Sequence, residues 1–526
     1  MAAAQENQPP VAEPPASLVG KLEAAIGKDN VKTSKMERLL YSHDLAPLPK
    51  EVQLAFKNIP DVVVRPRNSE DVQKIVKIAA AEGAPITPRG ASSWGLGGSM
   101  PIFGGILIDM AGLMNKIIKI DAENLCATVE AGASYKQVYD ACLAKGLLLG
   151  SYPSSYPSAT LGGWIAKDGV GIGSYKYGGP GNNLRSMKVV MPDGNLVDTG
   201  FDLVADNSSG YNLNWLMIGA EGTLGIITEV TVKLYPAPEV IKPISYEFSG
   251  LLDLGKPLME LCRARVDPLH IAFSDGAHFE YLRKAGKHAP EVGTLLNITL
   301  EGDKVSVERE EAIIDAIMAK HGGKKASEEV ANHEWDERCY EFRSREVGLG
   351  AIPGEVVVPL KDFNTFGQVC YDRMKELKME GAIIGIMCDR NTVMFMPYYF
   401  LDTDSLMSLI SYSYNKKLSD ESYKMGGRPL GFGAFFAANL DPIRGVGAEE
   451  MRAIKKCLDP KEIMNPGKLV GMKTRYGISI PGKLFEIGMD AMAIAKQAIP
   501  RQHMFDEKAE VYEAERAKKE KAEHKH

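Results

Sequence analysis

Pro88-Arg89-Gly90-Ala91-Ser92-Ser93-Trp94-Gly95-Leu96-Gly97-Gly98 is the stretch on which the reading of this chain turns. Four of these eleven residues are glycine and two are serine, so the loop offers bare amides and small hydroxyls that let an anion approach the backbone closely. Arg89 adds a fixed positive charge. The stretch follows an apolar run, Val62-Val63-Val64, and a segment of helical periodicity from Glu70 to Glu82, which places it where a β/α unit turns over. A phosphate cradle and an ordinary glycine-rich connection both fit this loop taken alone. It is not the dinucleotide fingerprint G-x-G-x-x-G, which must follow a strand and open a helix.

Two more loops of the same character lie downstream. Ala159-Thr160-Leu161-Gly162-Gly163-Trp164-Ile165-Ala166 continues through Gly169, Gly171 and Gly173 to Tyr177-Gly178, and Gly219-Ala220-Glu221-Gly222-Thr223-Leu224-Gly225-Ile226-Ile227 runs into a Thr/Val strand. A fourth motif, Asn465-Pro466-Gly467-Lys468, follows Leu458-Asp459-Pro460. In this order, over Asp61 to Pro236 and again over Leu458 to Lys468, the chain resembles the FAD-binding oxidoreductases of the vanillyl-alcohol oxidase and p-cresol methylhydroxylase family. Within that family it is most similar to the glycolate oxidase and D-lactate dehydrogenase branch.

Composition sets the frame for this resemblance. A chain of 526 residues suits about two or three domains, and 45% hydrophobic with 25% charged residues is the balance of a globular protein. The formal net charge of −6 argues against nucleic-acid binding, which favours a clustered basic face. Seven scattered cysteines show no C-x-x-C and no metal-ligand spacing, so they read as reduced thiols, and an iron–sulfur centre in this chain is not expected. The Ala/Pro/Gln-rich start lacks the basic and apolar regions of a signal peptide, and no apolar run reaches membrane-spanning length. The expected location is the cytoplasm.

The resemblance implies an α+β fold: a two-subdomain FAD-binding domain of the vanillyl-alcohol oxidase type with a second α+β cap domain that forms the substrate site. The resemblance, together with a composition shift after Pro236-Ala237-Pro238, implies the boundaries. Residues 1–20 read as a disordered arm and 21–60 as a helical segment. Residues 61–238 read as the FAD-binding domain, 239–448 as the cap, 449–475 as a return to the flavin and 476–526 as a helical and charged tail. In the tail, Leu484, Phe485, Gly488, Met489, Met492 and Ile499 fall near one helical face, and Phe505 to His526 is a charged low-complexity run. A helix on its own domain, and a docking helix for an iron–sulfur or other electron-transfer subunit or a membrane surface, both fit the tail.

By the same resemblance, Arg89, Gly90, Ala91, Ser92 and Ser93 hold the FAD pyrophosphate, and Thr160, Gly162, Gly163, Gly169 and Gly171 line its second side. Glu221, Gly222, Thr223, Gly225 and Ile227 meet the adenosine part, and Asn465 approaches the ring. The first loop has neither His nor Cys, and no histidine lies between His43 and His270, so noncovalent FAD is expected. The implied reaction is transfer of a hydride from a small 2-hydroxy acid or related alcohol to the flavin. Oxidation of a phenolic alcohol, and an FAD-bearing subunit without a substrate site, are the alternatives.

On the substrate side the chain departs from the branch. Where the branch carries His-x-Gly-Asp-Gly-Asn-x-His this chain reads Gly385-Ile386-Met387-Cys388-Asp389-Arg390-Asn391-Thr392, and the later Glu-His-Gly region reads Gly433-Ala434-Phe435-Phe436. The branch's metal site and histidine base are therefore not expected, and no metal is assigned. Phe342-Arg343-Ser344-Arg345 stands where the branch places a carboxylate-binding arginine. Arg345 is the first choice for that role and Arg343 the second. A base for the hydroxyl is then sought at Tyr398, Tyr399 or Asp389.

Overall fold

The runs Val62-Val63-Val64 and Ile106-Leu107-Ile108 are buried on both faces, as strands inside a parallel sheet must be. In a computed structural model of the protein, which describes residues 11–45, 56–339, 343–347, 349–401, 412–480, 482–498 and 504–523, they form the middle of a four-stranded sheet. Its strands are β1 (Val31–Lys32), β2 (Val62–Val64), β3 (Ile86–Arg89) and β4 (Ile106–Asp109), in the order β1-β2-β4-β3, with β2, β4 and β3 parallel. The helix Ser69–Glu82 makes the crossover. Asn68 caps it by accepting from the Asp71 amide, and Gly83 stops it in the left-handed region at φ 63°. The first glycine-rich loop thus leaves the C-terminal end of β3, the end at which open α/β sheets bind ligands.

A six-stranded antiparallel sheet follows, made of β5 (Ile117–Asp121), β6 (Cys126–Glu130), β7 (Leu147–Leu149), β8 (Leu184–Val190), β9 (Leu196–Asp198) and β10 (Ile226–Pro236). Their order is β5-β6-β10-β8-β9, with β7 pairing β10. Asp193-Gly194 closes the β8–β9 hairpin as the turn chemistry requires. The second and third glycine-rich loops belong to this subdomain. One opens the helix Leu161–Lys167, and the other leads into β10.

The cap is built on a nine-stranded sheet comprising β11 (Val240–Phe248), β12 (His270–Asp275), β13 (Thr294–Gly302), β14 (Lys324–Lys325), β15 (Gly350–Pro353), β16 (Val356–Pro359), β17 (Gly381–Met387), β18 (Thr392–Leu401) and β19 (Arg428–Pro429). The order is β14-β11-β13-β12-β17-β18-β16-β19, with β15 pairing β18. One face packs Phe273, Phe395 and Tyr399 against helices that include Phe363–Glu376 and Ser413–Lys424. The other carries Ile384, Ile386, Met394, Met396 and Tyr398. All seven cysteines are free.

In the helical and charged tail, the charged run from Phe505 belongs to a helix, Met504–Glu523. Phe505 is fully buried between Tyr281 and Phe400, and Lys284 pairs with Asp506 at 2.8 Å. The helix Gly482–Ala498 buries Met489 and Ala493 in the cap core and leaves Leu484, Ile487 and Ile494 exposed. At the other end, the first helix, Ala16–Ile26, starts inside the stretch read as a disordered arm and buries Leu18, Leu22 and Ile26. Residues 1–10 of that arm lie outside the described residues.

Candidate active site

The three glycine-rich loops meet the cap around one cavity of about 810 Å³, inside the roughly 300–1,000 Å³ range of small-molecule sites. Arg89, Gly90, Ala91, Ser92, Ser93, Thr160, Gly162, Gly163, Gly169, Gly171, Glu221, Gly222, Gly225 and Ile227 all line it. Thr223 and Asn465 do not. Thr223 turns inward, its hydroxyl donating to the Ala220 carbonyl at 2.7 Å while its own carbonyl accepts from Lys455 Nζ at 2.6 Å. Asn465 sits behind the wall, donating to the carbonyls of Gly98 at 3.0 Å and Glu221 at 2.7 Å. It therefore staples the first loop to the third. Lys468 completes the staple, donating to the Gly98 carbonyl at 2.9 Å and Asn465 Oδ1 at 2.6 Å, and burial pushes its amine down to about 7.

Local sequence explains the loop shapes. Ser92 takes φ 56°, and its hydroxyl lies 2.7 Å from that of Ser99, which folds the loop back on itself. Thr160 caps the helix Leu161–Lys167 by accepting from the Gly163 amide at 3.3 Å. A Cβ on Gly163 would meet Thr160 Oγ1 at 2.8 Å and, besides that, only Gly90 Cα at 4.0 Å, so its empty side opens on the cavity. Gly222 differs. It sits at φ 70° with Pro88 Cγ only 2.5 Å from where a Cβ would stand, so protein packing accounts for the glycine there. Arg89 is half-buried, and its Nη1 donates to the His43 carbonyl at 2.6 Å, which ties the N-terminal segment over the loop. Beside these, Glu221 Oε2 is buried without a hydrogen-bond partner among the described residues, and burial raises its pKa.

The cap closes the far end of the cavity with Arg345, His270, Glu355, Ile386, Met394, Met396 and Leu430. Arg345 lies on the short 3-10 turn Arg343–Val347. No carboxylate of the described residues pairs with it, and burial pushes its guanidinium below its ordinary value. Glu355, in contrast, accepts from Trp94 Nε1 at 3.1 Å and lies 4.0 Å from Lys167 Nζ. That ammonium stands 3.4 Å from the centre of the Trp94 ring and donates to the Leu430 carbonyl at 3.1 Å. The first loop and the cap are thus joined through Trp94. The side chain of Arg343 lies outside the described residues.

The proposed bases fall elsewhere. Strand alternation puts Tyr398 and Tyr399 on opposite faces of β18. Tyr398 shares the face of Met396 but is covered there, its hydroxyl 2.9 Å from His278 Nδ1, and Tyr399 packs edge-on against Tyr414 in the opposite core. Neither lines the cavity, and burial raises both phenols well above their ordinary values. Asp389 is exposed at the β17–β18 turn, where its carboxylate accepts from the amides of Asn391 and Thr392.

His270 is the residue that sequence reasoning missed. It opens β12, buried, on the same face as Ala272, which stands opposite Ile386. Its Nδ1 has no partner among the described residues, and burial holds its imidazole down at about 3. The signal in the sequence was a histidine starting an apolar run, His270-Ile271-Ala272-Phe273.

The chain matches an FAD binding domain over residues 60–200 and an FAD linked oxidases C-terminal domain over residues 237–469. It belongs to the FAD-linked oxidoreductases built from these two domains and is a flavoprotein enzyme. It is similar to the glycolate oxidase subunit GlcD of Bacillus subtilis, 29% identical over 464 residues that cover 85% of this chain and 96% of the relative. A mitochondrial D-lactate dehydrogenase [cytochrome] of Arabidopsis thaliana is also 29% identical, covering 87% of this chain and 80% of its own. In fold the chain resembles p-cresol methylhydroxylase, with a TM-score of 0.76 and 22% identity over 87% of this chain and 96% of that one. No helix among the described residues is long and apolar enough to cross a membrane.

Proposed function

We propose that the protein oxidises a small 2-hydroxy acid to the 2-oxo acid at the cap end of this cavity. The flavin loops supply the other end. Arg89 to Ser93 and Thr160 to Gly171 suit the pyrophosphate, with open backbone at Gly163, and the partnerless carboxylate oxygen of Glu221 suits a ribose hydroxyl. These features fit noncovalent FAD, which when bound supplies the two-electron acceptor.

The observation that carries the reading is Arg345, a half-buried cation at the cavity wall that no carboxylate of the described residues neutralises. A substrate carboxylate supplies the missing charge, and the guanidinium fork can hold it through two hydrogen bonds. His270 is neutral at ordinary pH, so a ring nitrogen can accept the substrate hydroxyl's hydrogen bond. The seated carboxylate raises the basicity of that imidazole, because a nearby negative charge favours the protonated form. His270 can then take the hydroxyl proton as the carbon–hydrogen bond is broken. Trp94, held between Lys167 and Glu355, closes the join between loop and cap and helps exclude water.

The placement of Tyr398 and Tyr399 off the cavity favours this reading over a phenolic substrate. The lined cap chamber argues likewise against an FAD subunit with no substrate site. Seven free thiols fit a reducing compartment, the cytoplasm in our reading. Anaerobic mixing of the holoenzyme with 2-hydroxy acids and, separately, with phenolic alcohols tests the proposal. Loss of the oxidised flavin absorbance with the acids alone supports it, and bleaching by the phenols alone overturns it.

A further inference from the structure

The cap part of the cavity, which Arg345 and His270 line, has a wall that neither glycolate nor lactate would use. In the register of the cap sheet Ala272 faces Ile386, Ile386 faces Met394, and Ile384 faces Met396. Alternation along each strand puts these side chains on the same face as His270. Ile386, Met394 and Met396 reach the cavity from that face, with Leu430 lining it as well. Methionine is unbranched and polarisable, so a wall with two of them can shape itself around an apolar group.

The polar side chains nearby are already engaged. Glu355 is held by Trp94 and Lys167, Lys167 by the Leu430 carbonyl and the Trp94 ring, and Glu346 by Lys287 at 2.6 Å. Arg338, close enough to depress the His270 imidazole, donates to the Tyr152 hydroxyl at 3.2 Å and lies over the Trp335 ring. Once Arg345 holds a carboxylate and His270 a hydroxyl, the chamber has no free side-chain cation for a second acid group among the described residues. A substrate that stops at a hydrogen or methyl leaves the apolar wall unfilled, and one that carries a second carboxylate buries it unpaired.

Building on the hydroxy-acid reading above, we propose that the physiological substrate is a 2-hydroxy monocarboxylic acid with a branched aliphatic or aromatic side chain, and that Ile386, Met394 and Met396 select it. The reaction balances as for any such acid: the carbon bearing the hydroxyl loses two electrons and two protons and becomes the 2-oxo carbon, with FAD as the oxidant.

The test is a kcat/KM series on the holoenzyme with glycolate and with racemic lactate, 2-hydroxy-4-methylpentanoate and 3-phenyllactate, with racemic 2-hydroxyglutarate as the dicarboxylate. A methylene in an apolar pocket is worth about tenfold or more. The branched and aromatic acids should therefore exceed lactate by at least roughly a hundredfold, and 2-hydroxyglutarate should be poorest for its size. Met394→Gln, close in volume, should lower the phenyllactate-to-lactate preference by about tenfold or more with FAD content unchanged. Equal or better turnover of glycolate or lactate overturns the inference while leaving the hydroxy-acid reading standing. So does an unchanged preference in Met394→Gln. A flavin that no 2-hydroxy acid bleaches but a phenolic alcohol does would sink both.

Discussion

Arg345→Met separates the two roles of one side chain. In the protein as it stands the guanidinium is half-buried at the cavity wall without a carboxylate among the described residues, so it is partly desolvated and uncompensated until substrate arrives. Methionine keeps the length and apolar stem and removes the charge. A charge-assisted hydrogen bond to the substrate carboxylate contributes about 1.5–3 kcal/mol, so its loss should raise the apparent dissociation constant of the acid by roughly ten- to 150-fold. Without substrate the sign reverses. Removing a half-buried unpaired charge, which solvent partly screens, should stabilise the fold by at most about 1 kcal/mol, a rise in Tm of no more than about 2–4 °C for a domain of the cap's size. The assay pairs anaerobic flavin reduction over a range of acid concentrations with thermal melts of the FAD-loaded protein, with and without substrate. Substrate should raise the parent's Tm much more than the variant's. If the variant melts lower than the parent and still binds the acid with parental strength, Arg345 is a structural residue and the reasoning fails.

Gly163→Val should lose FAD while keeping its circular dichroism, because its side chain would enter the cavity; full flavin in the purified variant would show that this loop is not the cradle. Gly222→Val should instead lower Tm, since it forces a branched residue to φ 70° against Pro88. His270 has a folded pKa of about 3 against an ordinary 6.5, so the unfolded chain binds a proton that the fold refuses, and stability should fall as pH drops from about 6.5 to about 3. In His270→Gln that part of the slope should vanish from Tm measured against pH, and turnover of a 2-hydroxy acid should fall by about a hundredfold or more. Truncation before Gly482 removes Met489, Ala493 and Phe505 from the cap core, so a lower Tm with FAD retained is expected, and an unchanged melt would mean that the tail only rests on the surface.

That the glycine-rich loops form one small-residue site was legible from their composition: they line one cavity, and Gly163 leaves its backbone open there. β2 and β4 were legible because their apolar runs, Val62-Val63-Val64 and Ile106-Leu107-Ile108, are unbroken. The centre of the cap was less so. β11 contains Pro243, which reads as a strand breaker, yet it lies in a stretch hydrogen-bonded on one side to β13, where a missing amide costs little. Tyr398 and Tyr399 show another limit. Alternation tells that two neighbours face opposite ways, but not that His278 covers one face and Tyr414 packs the other. Asn465 was expected to approach the ring; in the fold its side chain donates to the carbonyls of Gly98 and Glu221 from behind the cavity wall, contacts that its sequence neighbourhood does not reveal. The last helix was hidden because its charged sequence has a few apolar anchors, among them Phe505 and Ala509, and their seats on the cap lie more than a hundred residues away. His270 was hidden because histidines were sought at the family's motif positions, whereas this one reaches the cavity from the start of a different strand.

The central claim is that Arg345 seats a carboxylate in the cavity that His270 and the three glycine-rich loops also line. Anaerobic titration of the holoenzyme with a 2-hydroxy acid and with its 2-methoxy analogue tests it most directly, because the two share the carboxylate and differ in the hydroxyl proton. The account predicts that both perturb the flavin spectrum with similar concentration dependence, that only the hydroxy acid bleaches it, and that Arg345→Lys weakens both. Absence of any spectral response to either acid, or bleaching by the methoxy analogue, would contradict it.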